Sequence, residues 1–268
     1  MKVIFSRKGW DSAFGRRASP VFTDGTIQSL PIECREGSPK LEAVTPRVLT
    51  RQGYPHLGAF LEEYYPRLVR PNCAHLDPDL DVAAYKRAPG WRPCFGQDSA
   101  AASHLDNQGI SVGDLFLFYG WYDDVSPSRR GWHAAGHHRF LIWGWLQVGE
   151  IFDAPTKSTV PAWLRYHPHV VQKYPLKNRI YVAADTLIID GQRVSGWDGG
   201  GIFGCEHPAR NLTQNHGRRG LFPDQLPPWL KGPKKMTHYR QEQVWDASQY
   251  PAAAVYLRSI FVSSAGGA

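Results

Sequence analysis

Three stretches of this chain carry side chains whose types and spacing suit acid–base or ligand chemistry. Ser6, Arg7 and Lys8 follow the short apolar run Lys2–Phe5, and Asp11 and Ser12 come soon after. Cations, hydroxyls and a carboxylate just past a strand are where α/β proteins often contact ligands. There Ser6, Arg7 and Lys8 would hold an anion, and Asp11 would orient a hydroxyl or act as a base. The spacing is neither that of a Walker loop nor that of a dinucleotide fingerprint. The same residues also suit a surface turn in which Asp11 or Ser12 bonds the local backbone.

The second stretch is His75-Leu76-Asp77, inside HLDPDL. His-x-Asp presents two groups on one face of a strand, so His75 and Asp77 are a candidate catalytic pair. With a distant histidine such as His104 they form the ligand set of a non-haem iron site, which makes a divalent metal the cofactor to consider. Asp77-Pro78 is equally an ordinary turn or helix cap. His167-Pro168-His169 offers another pair of imidazoles, although the intervening proline reads as a plain turn.

The third is Gly90 to Gly109, GWRPCFGQDSAAASHLDNQG, which packs Trp91, Arg92, Gln97, His104 and Gln108 into one short span. Asp98 suits a helix N-cap, the alanine run favours helix, and Gly109 suits the left-handed position that ends one. His104 and Gln108, four apart, then project from one face. An imidazole beside an amide can read a base edge or move a proton. Combined, Arg7, Lys8 and Arg92 hold phosphate, Gln97 and Gln108 read polar edges, Trp10 or Trp91 stacks, and Asp11 with His104 transfers protons.

The elements that position these groups follow from periodicity. Leu115 to Trp121 and His138 to Phe152 are apolar on both faces, as central strands of a covered or closed sheet are, and Gly144 and Gly149 mark bends. His56 to Tyr65 carries a helical stripe at Leu57, Phe60, Leu61 and Tyr64. A hairpin is expected from Val21 to Ile32 and loops at 33–53 and 122–136. Strands are expected at Arg179–Ile189 and Gln243–Trp245, with a closing helix from Ser248 to Phe261. The fold class is α+β, a mixed, largely antiparallel sheet or a partly closed barrel of the PUA-like kind with flanking helices.

The 268 residues, 42% hydrophobic, provide for a sizeable core, and 1–268 is expected to be one domain. The net charge of +7, with basic residues in small groups, suits a phosphate backbone as a partner, or simply a solvated surface. No apolar run reaches the ~18 residues of a membrane span, and the N-terminus has no signal-peptide core. A cytoplasmic protein without membrane contact is therefore expected. The four cysteines lie far apart without paired metal spacing and are expected to be reduced thiols.

Read in order, KVIFSRKGWDS, HLDPDL, GWRPCFGQ, SHLDNQG, VGDLFLFYGW, WGWLQVGEI and QEQVWD resemble the nucleotide modification associated domain 3 family almost end to end. The resemblance implies one integral domain in a phage or bacterial DNA- or nucleotide-modification setting, with no particular reaction. With the basic balance and the polar clusters it leads to the expectation of an enzyme or accessory enzyme acting on a nucleobase or nucleotide. The alternatives are a non-catalytic reader of modified DNA, from the PUA-like barrel, and a metal-dependent oxygenase or hydrolase, from His75 and Asp77 with a distant histidine.

Overall fold

The computed structural model describes residues 1–10, 15, 17–32, 38–65, 72–129, 131–172, 174, 176–213, 242–250 and 252–262. Asp11 and Ser12 lie outside these residues, as do Pro251 and the basic groups beyond residue 213.

The fold is α+β, built on a mixed, largely antiparallel sheet that curls into a half-barrel. Its main path runs β11 (Gln243–Asp246), β1 (Lys2–Arg7), β4 (Leu115–Ser128), β6 (Arg139–Asp153), β7 (Asn178–Ala183) and β3 (Cys94–Asp98). β1 pairs parallel with β4 and antiparallel with β11, so strands from early and late in the sequence lie side by side. β2 (Ser19–Val21) and β5 (Gly131–Ala134) pair with β4, and β10 (Gly200–Ile202) pairs with β6. A separate ribbon joins β8 (Ile188–Ile189) and β9 (Gln192–Arg193).

β4 is apolar from Leu115 to Trp121 because that part separates two cores. Leu115, Leu117 and Tyr119 pack with Val3, Phe5, Trp245 and Leu257, whereas Phe116, Phe118 and Tyr122 pack with Ile4, Phe95, Leu146 and Tyr181. The second set joins β1 to β3, which stand far apart in the strand order, so that face is the concave one. Two extra residues in β6 account for the curl. Phe118 pairs with Gly144 but Tyr119 with Ile142, which leaves Trp143 unopposed. Val148 pairs with Ala183 but Glu150 with Val182, which leaves Gly149 unopposed. Bulges bend a strand and increase its twist, and Gly149 also lets the backbone of Ala184 approach: a Cβ would fall 2.6 Å from Ala184 Cα.

The helices pack at the margins. α1 (Arg47–Arg51) and α2 (Leu57–Tyr64) belong to an outlying core with Trp10, Phe22 and Leu30. α3 (Ser99–Asn107) buries Ala102 and Leu105, with Asp98 at its N-cap and Gly109 at φ +63°. α4 (Pro168–Val171) is one turn, and α5 (Ala253–Ile260) lays Ala253, Tyr256, Leu257 and Ile260 on the sheet. Among the described residues, no helix is long and apolar enough to cross a membrane.

Several local expectations are corrected. Residues 122–128 and 131–134 are strand, because β4 runs on to Ser128 and β5 folds back on it. Within the stretch from Val21 to Ile32 the bridge is Val21 to Ile27, Thr26 bridges to Cys205, and β2 pairs with β4 instead. The strand expected to reach Ile189 ends at Ala183, and the last helix starts at Ala253. The expectation of reduced thiols fails at Cys73, which is disulfide-bonded, whereas Cys94 and Cys205 are free.

Candidate functional site

The segment His75–Asp81 runs beside β3, with Asp79 and Cys94 exchanging backbone hydrogen bonds of 2.9 Å. It forms one wall of an open cleft of about 720 Å³, counting the space continuous with solvent. Gly9, Ser29 and Leu30 contribute to the lining, and Trp143, Ile202 and Phe203 add an apolar side. Gly9 sits at φ +101°, a conformation glycine adopts without strain. Trp143, the residue bulged out of β6, donates its indole N–H to the Lys8 carbonyl at 3.3 Å.

Asp77 is the polar centre of that wall. Its Oδ1 accepts from the Gly96 N–H at 2.7 Å. Imidazole Nε2 atoms approach the carboxylate from His169 at 3.1 Å, His167 at 3.6 Å and His75 at 3.8 Å. Burial alone would raise the Asp77 pKa, but hydrogen bonds from His167 and His169, and their charge, hold it well below the usual carboxylate range. Burial correspondingly pushes His169 down, and the Asp77 hydrogen bond and charge, with help from Asn178, bring it above the ordinary imidazole value.

Local structure fixes both rings. His167 is the N-cap of α4, and its Nδ1 accepts from the His169 N–H at 3.2 Å, so Nε2 carries the proton toward Asp77. His169 Nδ1 donates to Asn178 Oδ1 at 2.7 Å, and its ring stacks on Tyr174 with centroids 4.7 Å apart.

A second polar group lies on the concave face at Glu242, immediately before β11. Its Oε1 accepts from Ser6 Oγ at 3.3 Å and from the Gln97 amide, and Lys8 Nζ is 3.6 Å away. The Lys8 ammonium also stands 4.8 Å over the Phe95 ring. His104 Nε2 lies 2.9 Å from the Glu242 carbonyl oxygen. Thus Ser6, Lys8, Gln97 and His104, all named from the sequence, meet at one residue that was not.

The remaining named residues are placed elsewhere. Arg7, adjacent to Lys8 on a strand, points to the other face, 5.3 Å over Phe140. Arg92 faces Glu150 and Asp185 at 3.9 and 3.5 Å. Trp91 donates to Tyr166 Oη at 2.8 Å and carries the Arg87 guanidinium 4.5 Å over its ring. Gln108 is exposed at the end of α3, its carbonyl accepting from Lys2 Nζ at 2.6 Å. Trp10 is buried and donates to the Pro31 carbonyl at 2.7 Å.

His104 does not join His75 and Asp77. Among the described residues, no three His, Cys, Asp or Glu side chains are arranged to hold a metal ion. The free thiol at Cys94 is buried, which pushes it well above its ordinary pKa, and the charges of Asp79 and Asp77 add to the effect.

Glu242, His167 and His169 are what sequence reasoning missed or set aside. Glu242 lies in the QEQVWD stretch that carries the resemblance, but its type and spacing alone assign it no role. The His-Pro-His signal was present but reads as a turn until Asp77 is seen opposite it.

The fold and site define a curled α+β half-barrel with a cleft against its edge strand and charged groups gathered on its concave face. The chain belongs to the nucleotide modification associated domain 3 family, whose model matches residues 2–261. The family's name points to nucleotide modification and specifies no reaction. No curated protein and no solved structure matches the chain.

Proposed function

We propose that this chain, acting as one unit over 1–268, binds a nucleobase or nucleotide and takes part in its modification, as the modifying enzyme or an accessory to it. The observation that carries the reading is the cleft, whose lining combines the Trp143 side chain with the acid–imidazole wall of His75 and Asp77. An apolar aromatic side with a few converging polar groups is the usual make-up of a small-molecule site. The family's name supports a base or nucleotide as that small molecule.

In this reading His75 and Asp77 handle protons at the bound base. Ser6, Lys8, Gln97 and His104, tied to Glu242, hold β1, β3 and β11 in the register that shapes the cleft. The partner is a nucleotide or DNA. A non-catalytic reader of modified bases is the second reading, favoured by the curled sheet, which offers a concave face to a base turned out of a strand.

The test compares wild type with His75→Ala in the native system, after circular dichroism has shown the variant folded. Modified-nucleoside content that falls at least about tenfold while nucleotide affinity persists supports the enzyme, that fall corresponding to about 1.4 kcal/mol in the barrier. Loss of affinity for modified duplex, with modification unchanged, supports the reader. If neither quantity moves, the cleft is not the site.

A further inference from the structure

We propose that the cleft takes the uncharged heterocycle of its ligand and excludes phosphate, so that the moiety recognised there is a free base, a nucleoside, or a base turned out of a strand whose phosphates stay outside. The inference rests on the proposed function and names the part of the ligand that the cleft accepts.

The charges of the wall carry it. Asp77, Asp79 and Asp81 all belong to the lining, and among the described residues no lysine or arginine does. The cations nearest these carboxylates are already engaged. Arg87 forks onto Asp79 at 2.6 and 2.5 Å and donates to the Asp81 carbonyl at 2.9 Å. His169 is held by Asp77 and by Asn178. Lys8, one residue from the lining, is paired with Glu242. A phosphate entering here would meet carboxylates with no free lysine or arginine to offset them, a like-charge contact.

The rest of the lining suits a flat aromatic ring. Trp143, Phe203 and Leu80 present carbon surface, while Ser29 and Gln28 add neutral polar groups. Carboxylates bound by backing cations present acceptors but no donors, which favours ring N–H and amino groups on the ligand.

The experiment is calorimetric titration of the wild-type chain with the common nucleosides and their 5′-monophosphates, repeated in millimolar inorganic phosphate. Single-stranded oligonucleotides with and without one abasic position form a separate arm. Expected is at least one nucleoside whose affinity is unaffected by inorganic phosphate and not raised more than about threefold by a 5′-phosphate, roughly 0.6 kcal/mol. Hydrogen exchange on the same complex should protect residues 75–81.

If only the oligonucleotide binds, and an abasic position weakens it, the base is presented from a strand. If nucleosides bind as well, the free ligand suffices. A monophosphate binding about tenfold or more tighter than its nucleoside, or protection confined to other segments, overturns this inference and leaves the proposed function standing. Failure of every nucleoside, nucleotide and oligonucleotide to bind overturns both.

Discussion

His169 is held on two sides: its Nε2 lies 3.1 Å from Asp77 Oδ2, and its ring fills the space left by the missing side chain of Gly96. A Cβ at Gly96 would fall 2.2 Å from His169 Cδ2, well inside contact distance. The glycine thus brings the imidazole against β3, where its N–H also holds Asp77.

Gly96→Ala is therefore expected to destabilise the fold by about 1–3 kcal/mol, the usual range for overpacking a filled site. It is also expected to turn the His169 ring away from Asp77. Denaturant unfolding measures the first effect, and the imidazole NMR signal of His169 reports the second. An unfolding midpoint equal to wild type would show that the ring has room to yield.

The Asp77–His169 pair makes stability depend on pH in a definite direction. The depressed Asp77 contributes stability present above the ordinary carboxylate pKa and lost as pH falls through its lower folded value. The raised His169 contributes stability fully present below the ordinary imidazole pKa and lost as pH rises through its folded value. Both are in force from about pH 4 to about pH 6.5. His167 faces the same carboxylate, and Asp98 adds to the field at His169. His169→Gln should accordingly cost more stability near pH 5.5 than near pH 8.5, as read by urea unfolding at each pH. Equal costs would mean that the pair is not ionic.

Glu242 and Lys8 form a mostly buried pair, 8% and 20% exposed at their side chains. Removing one charge leaves the other without its partner in a low-dielectric setting, whereas removing both does not. Lys8→Met and Glu242→Gln are each expected to cost about 1–3 kcal/mol, and the double variant clearly less than their sum. A double-mutant cycle by thermal unfolding measures the coupling. Strict additivity would leave Ser6 and Gln97 as the groups that hold Glu242.

How much of this was legible in the chain depends on the range of the interactions. The two-sided apolar character of Leu115–Trp121 and His138–Phe152 marks central strands, because every residue there meets a core whatever its partner. The stripe at Leu57, Phe60, Leu61 and Tyr64 marks α2, and the Asp98 and Gly109 positions bound α3, since caps and periodicity are local. β3 was not legible: Cys94–Asp98 is short, contains glycine and polar residues, and becomes strand through its pairing with β7, whose partner residues are 80 to 88 positions away in sequence.

The sequence by itself determined the class of fold, the central strands, and which polar residues were worth attention, because hydrophobic period, capping chemistry and residue type are properties of neighbours. Only the tertiary structure decided which of those residues meet. Ser6, Lys8, Gln97 and His104 converge on Glu242 because the sheet curls, and Asp77 gains His167 and His169 because α4 packs against β3. The same geometry turns Arg7 away from Lys8, since adjacent side chains of a strand face opposite sides. Convergence of this kind depends on contacts between residues distant in the chain, and spacing along the chain does not encode it.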